Sequence, residues 1–521
     1  MSTQTSIDFD ELFIGGGWVK PRSSARISVI AASTEEPVGS VPEGTNADID
    51  AAVSAARAAF DDPSGWSSWS AEDRAQALER LAGGLESRGE EIAQLVSLQN
   101  GMPISFALQV EAVFPALLAR YYAGVIRQIS LEEDRQGLLG GKIHVVSTPV
   151  GVVGAIVPWN YPQGLAMLKL APALAAGCTV VIKPSPETVL DSLLLAEALL
   201  EAGLPDGVVN IVPADRDVGA YLVEHPRVDK IAFTGSSASG RTIARRCGEL
   251  LRPVTLELGG KSAAIVLDDA DLSQTVEALF SATLLNNGQT CVNCTRVLAP
   301  RSRYKEVLGV FSGLAGALQV GDSLDPSTQV GPLVSSRQRE RVEGYIQKGR
   351  AEGARLAAGG ARPAGQERGW FVEPTIFADV DNSHTIAREE IFGPVLAVIP
   401  YDDEDEAVAI ANDSEFGLGG TVWTADQERA EAVARRVKTG SIGINHYLLD
   451  PAAPFGGVKA SGIGRELGPE GLTAYLQLQT IYATPHRSRR RSDGERSALG
   501  PGAGPPPDDR AGGSARPLRV P

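Results

Sequence analysis

Cysteine is scarce in this 521-residue chain, with four in all: Cys178, Cys247, Cys291 and Cys294. Four cannot staple a chain of this length, so a disulfide scaffold is excluded. Only Cys291 and Cys294 are close in sequence, and a lone CxxC without a second pair is no zinc pattern, so no metal site is expected. Positive charge is short as well: 48 Lys and Arg stand against 64 Asp and Glu, a formal net charge of −16. A protein that tracks phosphate backbones needs the opposite balance, so nucleic acid is not an expected partner. No stretch of 18 apolar residues runs without a charge, so neither a membrane span nor a membrane partner is expected. Met1 to Asp10 is polar and acidic rather than basic and then apolar, so no secretory signal is read there and a cytoplasmic location is expected.

The chain does have enough apolar residues, 43 %, with 21 % charged, to build globular domains. Its length suggests about three of them, or two large ones. Residues 485–521 differ from the rest. They are rich in Gly and Pro and carry the cluster Arg487, Arg489, Arg490 and Arg491, a composition that predicts a disordered, basic tail.

The body alternates two hydrophobic periods. Ala47 to Phe60 and Ala71 to Asn100 have helical spacing, with a break expected in the second at Gly83-Gly84. Gly151 to Pro158, Thr179 to Lys183, Val208 to Val212 and Val228 to Phe233 are short β-branched runs of the kind buried on both faces of a sheet. Helical runs Met167 to Ala176 and Asp191 to Ala202 separate them. A second series follows: strands at Ala263 to Leu267, Thr295 to Ala299, Val395 to Pro400 and Gly420 to Trp423, with helices at Leu272 to Leu285, Glu404 to Asn412 and Gln427 to Val437. Repeated strand–helix alternation predicts an α/β fold with a doubly wound, mostly parallel sheet.

Three places carry candidate chemistry. After the strand ending at Phe233, Thr234-Gly235-Ser236-Ser237 opens a helix, which aims free backbone N–H groups at an anion such as a pyrophosphate. The spacing to Gly240 departs from GxGxxG, and any strand-to-helix turn favours Gly and Ser. Pro158-Trp159-Asn160-Tyr161 and Lys183-Pro184-Ser185 each follow a buried strand at its carboxyl end, where α/β sheets bind ligands. There Asn160 can donate to an oxyanion and Lys183 to a ribose or phosphate, or Asn160 can cap a turn and Lys183 be a surface charge. Third, Gly288-Gln289-Thr290-Cys291 offers a thiol nucleophile, and Leu256-Glu257-Leu258-Gly259-Gly260-Lys261 a carboxylate base. Singly, a cysteine is more often a small buried apolar residue and a glutamate a surface one.

Together these segments resemble the aldehyde dehydrogenase superfamily over residues 8–484. PWN (158–160), KPS (183–185), FTGS (233–236), LELGGK (256–261), GQTC (288–291), EEIFGP (389–394) and PFGGVKASGIGRE (454–466) occur in that family's order. The resemblance implies a nucleotide-binding domain (1–130 and 149–258), a catalytic domain (259–462) and a small bridging β element (131–148 and 463–484) that pairs subunits into a homodimer or homotetramer. It implies oxidation of a small-molecule aldehyde to the acid, with Cys291 as nucleophile through a thiohemiacetal and a thioester. Asn160 would hold the oxyanion, Glu257 would activate the hydrolytic water, and Lys169 and Glu466 would relay its proton. Ile156, Pro158, Trp159, Lys183, Ser185, Gly235, Ser236, Leu258, Glu390 and Phe392 match cofactor positions. The cofactor implied is NAD, with NADP use also expected, because Pro186 stands where many NAD-selective relatives carry a glutamate; Glu187 follows it.

By the same resemblance Tyr161, Leu165, Leu168, Leu285, Thr290, Val292, Tyr447, Leu449 and Phe455 would line the aldehyde pocket. The set is apolar and without a cation, which favours a hydrophobic aldehyde over a semialdehyde bearing a second carboxylate. Two alternatives belong to other classes: a CoA-acylating relative and a non-catalytic family member. The presence of Glu257 argues against the first, and that of Cys291 and Glu257 together against the second. Cys291 and Cys294 also have the spacing of a redox off-switch.

Overall fold

The computed structural model describes residues 6–483; the tail expected at 485–521 lies outside them. One sheet is built on five parallel strands: β1 (Val152–Ile156), β2 (Thr179–Lys183), β3 (Val209–Ile211), β4 (Lys230–Thr234) and β5 (Val254–Glu257). Their spatial order is β5-β4-β1-β2-β3, extended by antiparallel Gly462–Ile463 beside β5 and Leu12–Ile14 and Gly17–Val19 beside β3. All residues of β1, β2, β3 and β4 are buried, as their unbroken apolar runs require of a sheet covered on both faces. The chain winds outward from β1 to β3, then returns to lay β4 on the other side of β1. That reversal opens a crevice at the carboxyl ends of β1 and β4.

A second sheet has the order Arg355–Ala358, Thr375–Ala378, Val395–Tyr401, Arg296–Pro300, Ala263–Val266, Gly420–Trp423, Gly443–Ile444. All its pairs are parallel except the first. A three-stranded antiparallel sheet joins Glu132–Gln136, Lys142–Pro149 and Leu476–Ala483. Leu476–Ala483 lies at its edge and exposes Leu478, Ile481 and Tyr482.

The long helix expected over 71–100 does break, but at Arg88 rather than Gly83-Gly84. Gly84 stays helical because it lets this helix approach Asp191–Ala202: a Cβ there would sit 3.2 Å from that of Ala198. At the true break, Gly89 starts a new helix against Ala112, whose carbonyl lies 2.9 Å from the place of its missing Cβ. Apolar Ile104–Gln128 reaches a mean hydropathy of 1.2. It contains Glu111, Arg120 and Arg127 and turns Leu118, Ala119 and Tyr122 into the core beneath the first sheet.

Candidate active site

The loop after β1 carries Trp159 and Asn160 into helix α1 (Pro162–Ala176), which starts with proline at a position that needs no backbone donor. Tyr161, at the N-cap, provides no side-chain cap. Buried Glu111 does this work instead, accepting from Gln163 N at 2.9 Å and Gly164 N at 3.3 Å. Asn160 is tied down at both ends. Its carbonyl accepts from Asn286 Nδ2 (2.8 Å) and Asn100 Nδ2 (3.3 Å), and its own Nδ2 donates to Gln289 O at 3.0 Å. Gln289 lies two residues before Cys291, so the amide and the thiol share one frame.

That frame is an irregular turn. Asn286 and Asn287 adopt left-handed φ of 49° and 59°, and Gly288 follows at φ 78°. Gly288 alone fits there, because a Cβ would lie 2.1 Å from Gly393. Asn287 pins the turn by donating to Gly101 O and Pro332 O and accepting from Gly331 N. Cys291 is partly exposed, whereas Cys294 is buried in the core of the second sheet, where Thr421 Oγ1 donates to its sulfur at 3.6 Å. The two thiols therefore sit in different environments. The Cys291 thiol is pushed up to about 12 by burial and by the charges of Glu390 and Glu257, while the N–H groups of Cys291 and Val292 oppose the shift. It holds its proton at neutral pH until a base removes it.

Glu257 ends β5 and is buried with neither carboxylate oxygen hydrogen-bonded. Burial and then the charge of Glu466 raise its pKa well above the usual carboxylate range, against Lys169 and Arg465. Gly456 leaves it room, since a Cβ there would come within 2.6 Å of Oε1. Lys169, from α1, donates to Glu466 Oε1 at 2.7 Å and Thr234 Oγ1 at 2.5 Å, wholly buried. The three groups matched as base and relay thus occupy one compartment.

The crevice side fits a dinucleotide. Gly235 stands where a side chain would collide with the Phe233 ring at 2.5 Å, and Ser236 caps helix α2 (Ser237–Glu249) by accepting from Ser239 N. Lys183 is no surface charge: it is 6 % exposed and donates to Ala214 O (2.8 Å) and Pro184 O (2.9 Å). That leaves one of its three N–H donors for a ligand oxygen. Burial holds its ammonium down to about 8. Ser185 Oγ donates to Glu187 Oε2 at 2.5 Å, so a carboxylate sits at this corner although Pro186 occupies the expected place. Ile156 and Leu258 are buried in the apolar cluster under the crevice, where Leu258 fills the space a Cβ on Gly240 would need. Pro158 follows them toward Trp159, whose ring meets Phe392 edge-on at 5.3 Å. Phe392 has a left-handed φ of 64°, and Glu390 beside it accepts from Gly260 N at 2.9 Å.

Tyr161, Leu165, Val292, Leu449 and Phe455 join one apolar cluster together with Cys291. Tyr161 and Thr290 share a 2.5 Å hydroxyl contact, and Thr290 donates to Leu285 O. Leu168 is wholly buried beneath them, and Tyr447 bonds Ser441 at 2.6 Å and packs on the core of the second sheet. Phe106, absent from the sequence-based set, meets Tyr161 edge-on at 6.2 Å. Glu111, Asn100 and Asn286 were missed as well. The only trace of Asn286 in the sequence is its place before Gly288 in a turn that needs left-handed residues.

The family model described as "Aldehyde dehydrogenase family" matches residues 18–481, and the chain belongs to that family. It is an NAD(P)-dependent aldehyde dehydrogenase. A geranial dehydrogenase of Castellaniella defragrans is 56 % identical over 477 residues, covering 92 % of this chain and 99 % of that one. Among solved structures, a Mycobacterium tuberculosis aldehyde dehydrogenase complexed with NAD+ superposes with a TM-score of 0.90 at 48 % identity, covering 92 % and 99 %. A Pseudomonas syringae aldehyde dehydrogenase mutant with NAD+ and octanal gives 0.87 at 41 %, covering 92 % and 97 %.

Proposed function

We propose that this enzyme oxidises apolar aldehydes to carboxylic acids, with NAD as its main oxidant, Cys291 as nucleophile and Glu257 as general base. The observation that carries the assignment is the Asn160 Nδ2–Gln289 O bond, which sets the oxyanion donor and the Cys291 loop in one rigid frame. Asn160 has a second Nδ2 hydrogen free, and with the Cys291 N–H it forms a two-donor site for the oxyanion of the thiohemiacetal. Glu257 takes a proton from the water that hydrolyses the thioester, the step that follows hydride transfer. Its unpartnered oxygens suit a group whose work is to accept protons. Lys169 and Glu466 carry that proton onward. Lys183, Ser185, Gly235, Ser236, Glu390 and Phe392 would hold NAD, which when bound supplies the hydride acceptor.

The apolar cluster around Tyr161 favours an apolar aldehyde, and none of the residues matched as pocket lining carries a charge. Geranial and octanal, named with the relatives above, are of that kind. The first sheet is assigned to nucleotide binding, the second to catalysis, and the three-stranded sheet to pairing with another copy in a cytoplasmic homodimer or homotetramer. Its exposed Leu478, Ile481 and Tyr482 on an edge strand support the last assignment.

The test is an aldehyde panel with both cofactors, following reduced-cofactor absorbance in wild type and three variants. Cys291→Ala should lose oxidation but keep nucleotide binding. Cys294→Ala should remain active, and Glu257→Gln should keep a burst of reduced cofactor with slow turnover afterwards. Activity in Cys291→Ala with loss in Cys294→Ala would overturn the nucleophile, and unchanged turnover in Glu257→Gln would overturn the base.

A further inference from the structure

On the sheet face that carries Glu257 lies a second buried amine that the chemistry above leaves unused. Lys230, the first residue of β4, is 2 % exposed and lies on the same sheet face as Thr234, four residues on. Its Nζ donates to Thr255 Oγ1 at 2.7 Å and sits 5.1 Å from the centre of the Tyr475 ring. Thr255 precedes Glu257 by two residues in β5, again on one face. Lys169 reaches the same face from α1, and Glu466 faces both amines. Two ammoniums and two carboxylates therefore share one buried compartment. Arg465 faces Glu257 from the loop side, and the thiols of Cys178 and Cys247 face Lys230. The Tyr122 hydroxyl donates to Gly468 O.

The balance of charge there is strict. The charge of Glu466 raises the pKa of Glu257, and a nearby ammonium lowers it. Lys169 is bonded to Glu466 and offsets one negative charge. Three carboxylate oxygens, both of Glu257 and Oε2 of Glu466, accept no hydrogen bond, and neither does the Tyr475 hydroxyl make one. The backbone N–H of Gly457 favours the charged form of Glu257, as do Lys169 and Arg465, so a second anion here leans mainly on cations.

We propose that Lys230 is a positioning residue for the deacylation step: its buried ammonium offsets the second carboxylate of the compartment and keeps Glu257 ionised at working pH. The proposal rests on Glu257 being the general base. Burial holds the Lys230 ammonium down to about 8, against the charges of Cys178 and Glu466, so the offset itself weakens in mild alkali.

The experiment is the pH profile of the steady rate after the burst, in wild type, Lys230→Gln, Lys230→Arg and Glu257→Gln. Lys230→Gln keeps a donor for Thr255 and removes the charge; Lys230→Met does the same without the donor and serves if the first variant does not fold. The expected result is a midpoint raised by about half to one pH unit, which at the foot of the profile is a roughly three- to tenfold lower rate. Lys230→Arg should restore the wild-type midpoint. An unmoved midpoint, with the rate lowered equally at every pH, would reduce Lys230 to a packing role and overturn the proposal. Unchanged turnover in Glu257→Gln would instead overturn the base on which it rests.

Discussion

Replacing Asn286 by Gly and by Ala separates the two jobs this residue does. Both variants delete the 2.8 Å bond from its Nδ2 to Asn160 O. A net hydrogen bond is worth about 1 kcal/mol, and more when the abandoned partner is buried without a substitute. Here Asn100 Nδ2 still reaches the same carbonyl at 3.3 Å, and Asn286 Oδ1 makes no bond that would be lost. The lower end of the range applies, so Asn286→Gly should destabilise by at most about 1 kcal/mol. Alanine adds the cost of a Cβ at φ 49° and ψ 50°, a further ~1–2 kcal/mol. The two variants should differ by that amount in urea unfolding, with glycine the more stable. Chemistry should respond differently, because both free Asn160 from the Cys291 loop to the same degree. Burst rates should fall about tenfold, ~1.4 kcal/mol of transition-state stabilisation, in both variants, with the Kd for NAD unchanged. Equal stability would refute the strain, and an undiminished burst in both would refute the claim that Asn286 holds the oxyanion donor in place.

Two further outcomes follow from charges at the edge of the site. Glu111 is pushed up to about 8 by burial and then by the charge of Asp191, so the folded enzyme holds a proton that the unfolded chain has lost. The associated stability is present at low pH and disappears as pH rises through about 8. Glu111→Gln keeps an oxygen for Gln163 N and Gly164 N without the charge, and its Tm relative to wild type should improve from about pH 5 to about pH 8 and level off above that, the span over which the two states differ in protonation; a constant gap would contradict this. At the ribose corner, Glu187→Gln should raise kcat/KM for NADP relative to NAD by about tenfold, ~1.4 kcal/mol. Pro186→Glu, beside a carboxylate already in place, should change the ratio less; the reverse ranking would return the role to position 186.

Much of the fold was legible because buried parallel strands leave a plain mark. Runs such as Thr179 to Lys183 admit no polar face, and the structure buries every residue of that strand. Where the reading misplaced a break, at Gly83-Gly84, composition was judged without its neighbour. A glycine lowers helix propensity in isolation by about 1 kcal/mol, but at position 84 the closeness to Ala198 makes the missing side chain a gain. That gain depends on a helix more than a hundred residues away, which no local window contains.

The site divides along the same line. Cys291, Glu257 and Asn160 stand in short motifs because each needs a backbone of unusual shape at hand: a left-handed turn before the thiol, Gly259-Gly260 after the base, a proline-started helix after the amide. Their supporting partners have no such requirement. Glu111 caps α1 from 52 residues away, Asn286 holds Asn160 across 126, and Lys169 finds Glu466 across 297. Each partner is an ordinary polar residue in an ordinary helix, strand or turn, and only burial makes it consequential. Lys183 shows the same effect in one residue. Read alone it was equally a ligand contact or a solvated charge, and the structure removes the second reading: Ala214 O and Pro184 O accept from its buried ammonium and leave one of its three donors unused. What a motif cannot carry is therefore less the reacting atom than the dielectric around it, and it is that surrounding which decides whether Glu257 is a base at neutral pH or a protonated bystander.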